Sequence, residues 1–136
     1  MPTARGTTTR PFRASMAGSC ADANAIVRLW YDCSEPFAAT IAVSAVDMPL
    51  RQWHFARELL AGGLNGACGL GAVVVARAPE DDDLLIGLHH DDDFLVLRVA
   101  RRRVARFLHR TYRLVPPGRE RDHFDVDALI EQLIPQ

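Results

Sequence analysis

The sequence predicts an α+β fold in which antiparallel β-sheets precede a helical C-terminal part. Between residues 25 and 100, short apolar runs are separated by turn-forming residues, which is typical of strands joined by hairpins. From residue 101 onward, apolar residues recur at helical spacing. Because strands come first and helices last, we expect two antiparallel β-sheets with a short helix between them and two C-terminal helices.

The first predicted sheet contains three strands in the N-terminal half of the chain. Residues 25–32 read AIVRLWYD and end in a turn at CSEP. Residues 37–46 form a second, largely apolar strand, and residues 50–55 form a third. Because successive side chains of a strand point to opposite faces, Trp53 and Phe55 share one face of this third strand.

A short helix is expected to lead from the first sheet to the second. It is predicted over residues 56–61, and Gly62 and Gly63 are expected to end it, as glycine commonly does. The strands of the second sheet are predicted at residues 72–78, 84–90 and 94–100. Acidic turns, EDDD and DDD, connect them.

The clearest helical pattern lies at residues 101–115. Its apolar side is formed by Val104, Phe107, Leu108 and Thr111. At about 100° per residue, the opposite side carries Arg102, Arg106, Arg110 and Arg113. The segment VPPG ends this helix, and a last helix is expected to start near Asp125, which is a good N-cap.

Residues 1–21 are predicted to form a disordered tail, and residues 22–136 a single domain. The N-terminal segment contains Arg and Thr but no apolar periodicity. The 136 residues match the usual size of one domain, and no repeat or linker divides them.

The composition argues against several classes of protein. The formal net charge is −1, so no overall attraction to nucleic acid or to membranes is expected. No apolar run is long enough for a secretory signal or a membrane span, which indicates a cytoplasmic protein without membrane insertion. The three cysteines are odd in number and widely spaced, which argues against a disulfide framework.

No catalytic, cofactor-binding or metal site is predicted. In HHDDD at residues 89–93, consecutive strand residues point to opposite faces, so a solvated hairpin tip explains them better than a metal site. The glycine-rich GLNGACGLG follows a helix and precedes a strand, the reverse of a phosphate-binding loop. No Ser or Cys has the local signature of a nucleophile. The chain is therefore not expected to be an enzyme.

Arg102, Arg106 and Arg110 form the candidate partner surface. Such a stripe can contact phosphates or an acidic protein surface. A face that is only solvated is also compatible with the pattern, and the sequence leaves these interpretations open.

Short motifs follow one another along the chain: YD at residues 31–32, EPFA at 35–38, WHFARELL at 53–60, FLHRT at 107–111 and VPPG at 115–118. In this order, they resemble the SsgA-like family of sporulation and cell division proteins of filamentous actinobacteria. The match runs from about residue 30 to the end of the chain. The residues that we assign to the family's structural motif are Tyr31, Asp32, Pro36, Trp53, Phe55, Arg57, Leu60, Gly63, Gly71, Pro117 and Gly118.

The resemblance implies a whirly-like architecture, assembly as a homotrimer and no catalysis. Family members act in septum formation, where one paralogue helps to place another that recruits the tubulin-like protein FtsZ. We therefore expect a non-enzymatic regulator or adaptor of septation, located at the division septum. Its expected partners are FtsZ or other division proteins and SsgA-like paralogues.

The resemblance also leaves an alternative and suggests roles for three motif residues. A whirly-like module that binds single-stranded nucleic acid is the alternative, disfavoured by the acidic turns and the net charge. Trp53 and Phe55 would close a sheet onto the core. Arg57 would hold the junction between the sheets through its five N–H donors.

Overall fold

The computed structural model describes residues 6–18, 23–46, 48–69 and 71–123. The strands are β1 (Gly6–Thr8), β2 (Phe12–Gly18), β3 (Ala23–Asp32), β4 (Ala38–Ala45), β5 (Met48–Ala56), β6 (Ala67–Cys68), β7 (Val73–Arg77), β8 (Asp83–His90) and β9 (Asp93–Ala100). The helices are α1 (Arg57–Asn65) and α2 (Arg101–Leu114), followed by a short 3₁₀ helix at Glu120–His123. The prediction of an α+β fold is confirmed.

All the strands of the described ranges belong to one antiparallel sheet, in the order β5-β4-β3-β2-β9-β8-β7-β6, with β1 paired to β3. Strand β2 joins the two halves, because it pairs with β3 on one side and with β9 on the other. The prediction of two separate sheets is therefore corrected. Without β2 the remaining strands would form two separate groups, one with β3, β4 and β5 and one with β6 to β9. These two groups correspond to the two sheets that the sequence pattern predicted.

The N-terminal segment also differs from the prediction, because part of the proposed disordered tail at residues 1–21 is β-structure. Strand β2 buries Phe12, Ala14 and Met16 in the core. The alternation is hard to recognise, since the strand has only seven residues and small or polar side chains occupy most of them. The last predicted helix, from Asp125, lies outside the described residues.

The sheet curls, so that strands far apart in its order meet. The indole Nε1–H of Trp53 in β5 donates to the carbonyl oxygen of His89 in β8, at 2.7 Å. Near this bond, the Arg51 guanidinium lies 3.2 Å from an Asp93 carboxylate oxygen. The concave side of the curl holds the apolar core, which α1 and α2 help to cover with Leu60, Leu64 and Phe107.

Helix α1 does not end at the two glycines, as the sequence predicted, but continues through both of them to Asn65. The reason is a close approach to β7. A Cβ atom added at Gly63 would overlap the Val75 side chain, so the glycine permits the helix to lie against the strand. Gly63 therefore serves packing, and the turn comes later, where Gly69 has a φ of +124° and Gly71 a φ of +97°.

A chain that starts at Ala23 should lose cooperative folding, because it lacks the strand that joins the two halves of the sheet. Truncating one buried phenylalanine already costs about 3–5 kcal/mol, and β2 carries two further buried side chains beside Phe12. Urea and thermal unfolding followed by circular dichroism measure the effect.

A matched control changes the same strand on its exposed side. Arg13→Ser should alter the free energy of unfolding by no more than about 0.5 kcal/mol, because the Arg13 side chain is exposed. A shortened chain that unfolds cooperatively at the temperature of the full chain would contradict this account of β2.

Candidate partner-binding surface

Arg57, the first residue of α1, is the most buried charged side chain among the described residues, with 1% of its surface exposed. Its Nη1 donates to the carbonyl oxygens of Thr111 at 3.3 Å and Val115 at 2.6 Å. Its Nη2 lies 2.7 Å from Oε2 of Glu120. One guanidinium thus joins the start of α1 to the end of α2 and to the segment beyond it.

Two tyrosine rings lie beside the same guanidinium. The Cζ of Arg57 is 5.1 Å from the ring centre of Tyr31 and 4.9 Å from that of Tyr112, distances at which cation–π attraction operates. Burial raises the pKa of Tyr31 to about 12, although the nearby Arg57 charge lowers it. Its hydroxyl therefore keeps its proton and donates to the carbonyl oxygen of Pro36 at 2.8 Å.

Glu120 balances the buried charge of Arg57. Burial raises the pKa of this carboxyl group, but hydrogen bonds from Arg57 and from the backbone N–H groups of Gly118 and Glu120 lower it. The net effect is a lowered pKa, so the carboxylate is charged at neutral pH. Gly118 has a φ of +86°, and this left-handed turn leads the chain back to Arg57.

The remaining residues of the predicted structural motif serve local packing and turns. Trp53, Phe55 and Leu60 are buried, and a carboxylate oxygen of Asp32 accepts the N–H of Ser34 at 2.9 Å. Pro117 is exposed beside Gly118. The structure thus brings Tyr31, Pro36, Arg57 and Gly118 to one junction, whereas Trp53, Gly63 and Gly71 act elsewhere in the fold.

The candidate partner surface lies on α2, whose opposite side is buried in the core. Arg102, Arg106 and Arg110 are exposed, and the Nε of Arg110 donates to Oγ1 of Thr7 in β1 at 3.0 Å. Between α2 and the chain at residues 8–10 lies a groove of about 430 Å³. Its lining consists of Thr8, Thr9, Arg10, Ala100, Arg102, Arg103, Arg106 and Arg110.

We call the set of Arg10, Arg102, Arg103, Arg106 and Arg110 the arginine groove. Sequence reasoning missed two of its members. Arg10 comes from the segment predicted to be disordered, and no local pattern links it to α2. Arg103 is held with its Cζ 4.4 Å from the ring centre of Phe12, a contact between residues distant in sequence.

The charges of the arginine groove have no compensating carboxylates in the described part of the chain. None of its five arginines forms an ion pair there, whereas Arg51, Arg57, Arg77, Arg98 and Arg119 each do. A protein with a net charge of −1 therefore has a local positive surface. Such a surface attracts anions and orients acidic partners.

The described residues contain neither a group of potential metal ligands nor a membrane-spanning helix. Within them, no three His, Cys, Asp or Glu side chains are placed to hold a metal ion. His89 and His90, at the hairpin tip, instead contact the rings of Phe94 and Trp53, respectively. No helix in the described part of the chain has the length and apolar character required to cross a membrane.

Glu120→Gln should destabilise the fold by about 3–5 kcal/mol, because it leaves the buried Arg57 charge without a counter-charge. The matched control is Asp122→Asn in the same 3₁₀ helix, where the Arg119–Asp122 pair is exposed and worth at most about 1 kcal/mol. Urea unfolding at neutral pH measures both. Equal effects of the two substitutions would contradict the importance of the buried pair.

The same pair should make stability depend on acid pH. Because the pKa of Glu120 is lowered in the folded state, its contribution is complete above pH 4.5, the ordinary value, and is lost as pH falls through the lowered pKa. The difference in unfolding free energy between wild type and Glu120→Gln should therefore shrink in acid. A difference that stays constant far below pH 4.5 would disagree with this assignment.

The sequence of the chain is similar to bacterial proteins of sporulation and cell division. The family model described as "Streptomyces sporulation and cell division protein, SsgA" matches residues 26–120. The sporulation-specific cell division protein SsgB of Salinispora tropica is 36% identical over 110 residues, which cover 78% of this chain and 77% of that protein.

Two solved structures are similar over nearly the whole chain. One is an SsgA-like sporulation-specific cell division protein from Thermobifida fusca, with a TM-score of 0.74 and 28% identity, covering 98% of this chain and 100% of that one. The other was reported with mutations in SsgB that correlate to longitudinal cell division during sporulation of Streptomyces coelicolor. It has a TM-score of 0.72 and is 29% identical to this chain in sequence, covering 90% of this chain and 100% of that one. The chain therefore belongs to the SsgA family of sporulation and cell division proteins.

Proposed function

We propose that this protein is a non-enzymatic adaptor of septum formation in sporulating filamentous bacteria. It would help to position the division machinery, including FtsZ, at septum sites, and would act in the cytoplasm at the division septum. The observation that carries the proposal is membership of the SsgA family, in which the SsgB relatives are named sporulation-specific cell division proteins.

The arginine groove supplies a surface suited to an adaptor. Its guanidinium groups are exposed at the edge of the fold, and the described carboxylates do not neutralise them. An acidic surface on a division protein or on an SsgA-like paralogue would be oriented by this charge before contact, because complementary potentials increase encounter rates and select the docking direction.

Single-stranded nucleic acid is the alternative partner, in a whirly-like mode of binding. The same uncompensated arginines favour it, since they would also attract phosphates. Two features weigh against it. The net charge of −1 gives no general attraction to a polyanion, and the acidic hairpin turns at residues 80–83 and 91–93 would repel one.

Assembly as a homotrimer is part of the proposal. It is supported by apolar side chains that a single chain leaves exposed, namely Ile26 at 43%, Leu50 at 63% and Val46 at 97%. Light scattering at micromolar concentration should give the mass of three chains. Replacing Ile26 and Leu50 by Ser should lower that mass, and a wild-type protein that remains a monomer would contradict the trimer.

The test of docking replaces Arg102, Arg106 and Arg110 by Ser. The fold should be nearly unaffected, because exposed charges contribute little to stability, and thermal unfolding checks this. A fluorescent fusion of the variant should localise less to septa in dividing and sporulating hyphae than the wild type. The matched control, with Arg13, Arg77 and Arg121 replaced by Ser, changes the charge equally on exposed positions outside α2.

Two outcomes of this test distinguish a failure of the proposed docking surface from a failure of the proposed role in septation. A triple variant that localises and supports septation normally would show that the arginine face of α2 is only solvated. A wild-type protein that never visits septa at any stage would overturn the proposed role in septation.

A further inference from the structure

We propose that the arginine groove binds a short, extended acidic peptide segment of a partner protein, which lies between α2 and the chain at residues 8–10. Carboxylates of the segment would pair with the guanidinium groups, and its backbone would pass the backbone groups of Thr8 at the end of β1. The choice of a protein partner rests on the proposed function, whereas the site and its chemistry rest on the structure.

The groove is prepared for an anion. Two of its arginines are held before any partner arrives, because Arg103 packs on the Phe12 ring at 4.4 Å and Arg110 is hydrogen-bonded to Thr7 at 3.0 Å. Held side chains lose less conformational entropy when they bind. Guanidinium groups also match carboxylates with two parallel hydrogen bonds, which gives geometric selectivity as well as attraction.

The dimensions of the surface suit an extended segment. Arg102, Arg106 and Arg110 are spaced four residues apart, which is about 6 Å along a helix that rises about 1.5 Å per residue. Side chains on one face of an extended peptide repeat at about 6.6 Å, because each residue advances about 3.3 Å. A peptide with an acidic residue at every second position would therefore place successive carboxylates near successive arginines.

The surface also continues beyond Arg110. A second depression, lined by Gly6, Thr7, Arg110, Arg113 and Leu114, lies beyond the Arg110–Thr7 hydrogen bond, and a segment that continues into it would cross over that bond. The cationic path from Arg102 to Arg113 is then about 16 Å long at the helical rise. A compact phosphate would use only part of this path, whereas an extended segment of about five residues would follow all of it.

Strand β1 contributes backbone N–H and C=O groups that can hydrogen-bond to a peptide in the groove. In the described ranges β1 pairs only with β3; its other edge faces α2, which Arg110 joins to Thr7, and the groove opens at Thr8. The N–H of Thr9 donates to the Leu29 carbonyl on the β3 side at 2.8 Å. Because the backbone groups of successive residues in an antiparallel strand point to opposite sides, those of Thr8 face away from β3, toward the groove. Peptides bind such edges by strand addition.

The aromatic residues near the groove disfavour nucleic acid as the occupant. Binding of single strands combines basic side chains with exposed aromatic rings on which bases stack. The lining of the groove contains no aromatic side chain, and Phe12 is buried beneath Arg103. The Phe12 ring, which Arg103 covers, is therefore not available for stacking, and a strand edge offers nothing specific to a sugar-phosphate backbone.

The experiment measures binding of a short fluorescent peptide, in which Asp alternates with Ser, by anisotropy at low and physiological ionic strength. The same peptide with Asn in place of Asp should bind far more weakly, and N-methylation of alternate backbone nitrogens should also weaken binding. Single-stranded oligothymidylate of the same charge and inorganic triphosphate serve as competitors.

The variant that tests the groove replaces Arg10 and Arg103 by Ser, and the control replaces Arg13 and Arg121. Two surface ion pairs together correspond to about a tenfold loss of affinity for the peptide, whereas the control should stay close to wild type. Because Arg103 packs on Phe12, thermal unfolding of each variant is compared, and Arg10→Ser alone provides a groove variant without that contact.

The results that would overturn the proposal are distinct. Tighter binding of oligothymidylate or triphosphate than of the peptide would assign the groove to phosphate. Equal losses of affinity in the groove variant and its control would assign the binding to general charge, and an N-methylated peptide of undiminished affinity would exclude strand addition.

Septal localisation is a separate readout. If it depends on Arg102, Arg106 and Arg110 while the peptide fails to bind, the proposed function stands and this inference fails. If the peptide binds but the protein never reaches septa, this inference stands and the proposed function fails.

Discussion

A buried guanidinium that must have acceptors is the constraint on which the rest of this structure depends. Arg57 is removed from water, and the cost of burying its charge is offset only if carbonyl oxygens and a carboxylate surround it. Those acceptors belong to the C-terminal end of α2 and to the 3₁₀ helix beyond it. The start of α1 and the C-terminal part of the described chain therefore have to arrive at the same point, with Tyr31 and Tyr112 against the guanidinium.

The position of α2 connects this junction to the proposed docking surface. The helix is fixed at its C-terminal end by Arg57 and along its apolar side by the packing of Val104 and Phe107 in the core. With both constraints satisfied, the side that carries Arg106 faces solvent next to β1. Substitutions at the junction should therefore affect docking indirectly, through the position of α2, and stability is the measurement that separates the two effects.

The N-terminal strands link the sheet to the same surface. Strand β2 joins the two halves of the sheet, and β1 continues along β3 beyond the place where β9 ends and α2 begins. The arginine groove lies at this place, where the neighbour of the N-terminal strands changes from β9, which pairs with β2, to α2, which faces β1. The segment that completes the core and the segment that lines the groove are thus neighbours in sequence, which makes the groove a direct product of how the sheet is closed.

The sequence by itself determined the elements whose signal is local. The alternation and apolar runs of β3, β4, β5, β7, β8 and β9 and the period of α2 identify them, because neighbouring residues in the chain carry that pattern. The arginine stripe at Arg102, Arg106 and Arg110 follows from the same period. Only the tertiary structure decided which strands are neighbours, that Glu120 balances Arg57 from 63 residues away, and that Arg10 and Arg103 join the stripe. Charge compensation and strand pairing depend on residues brought together by folding, and no spacing along the chain records them.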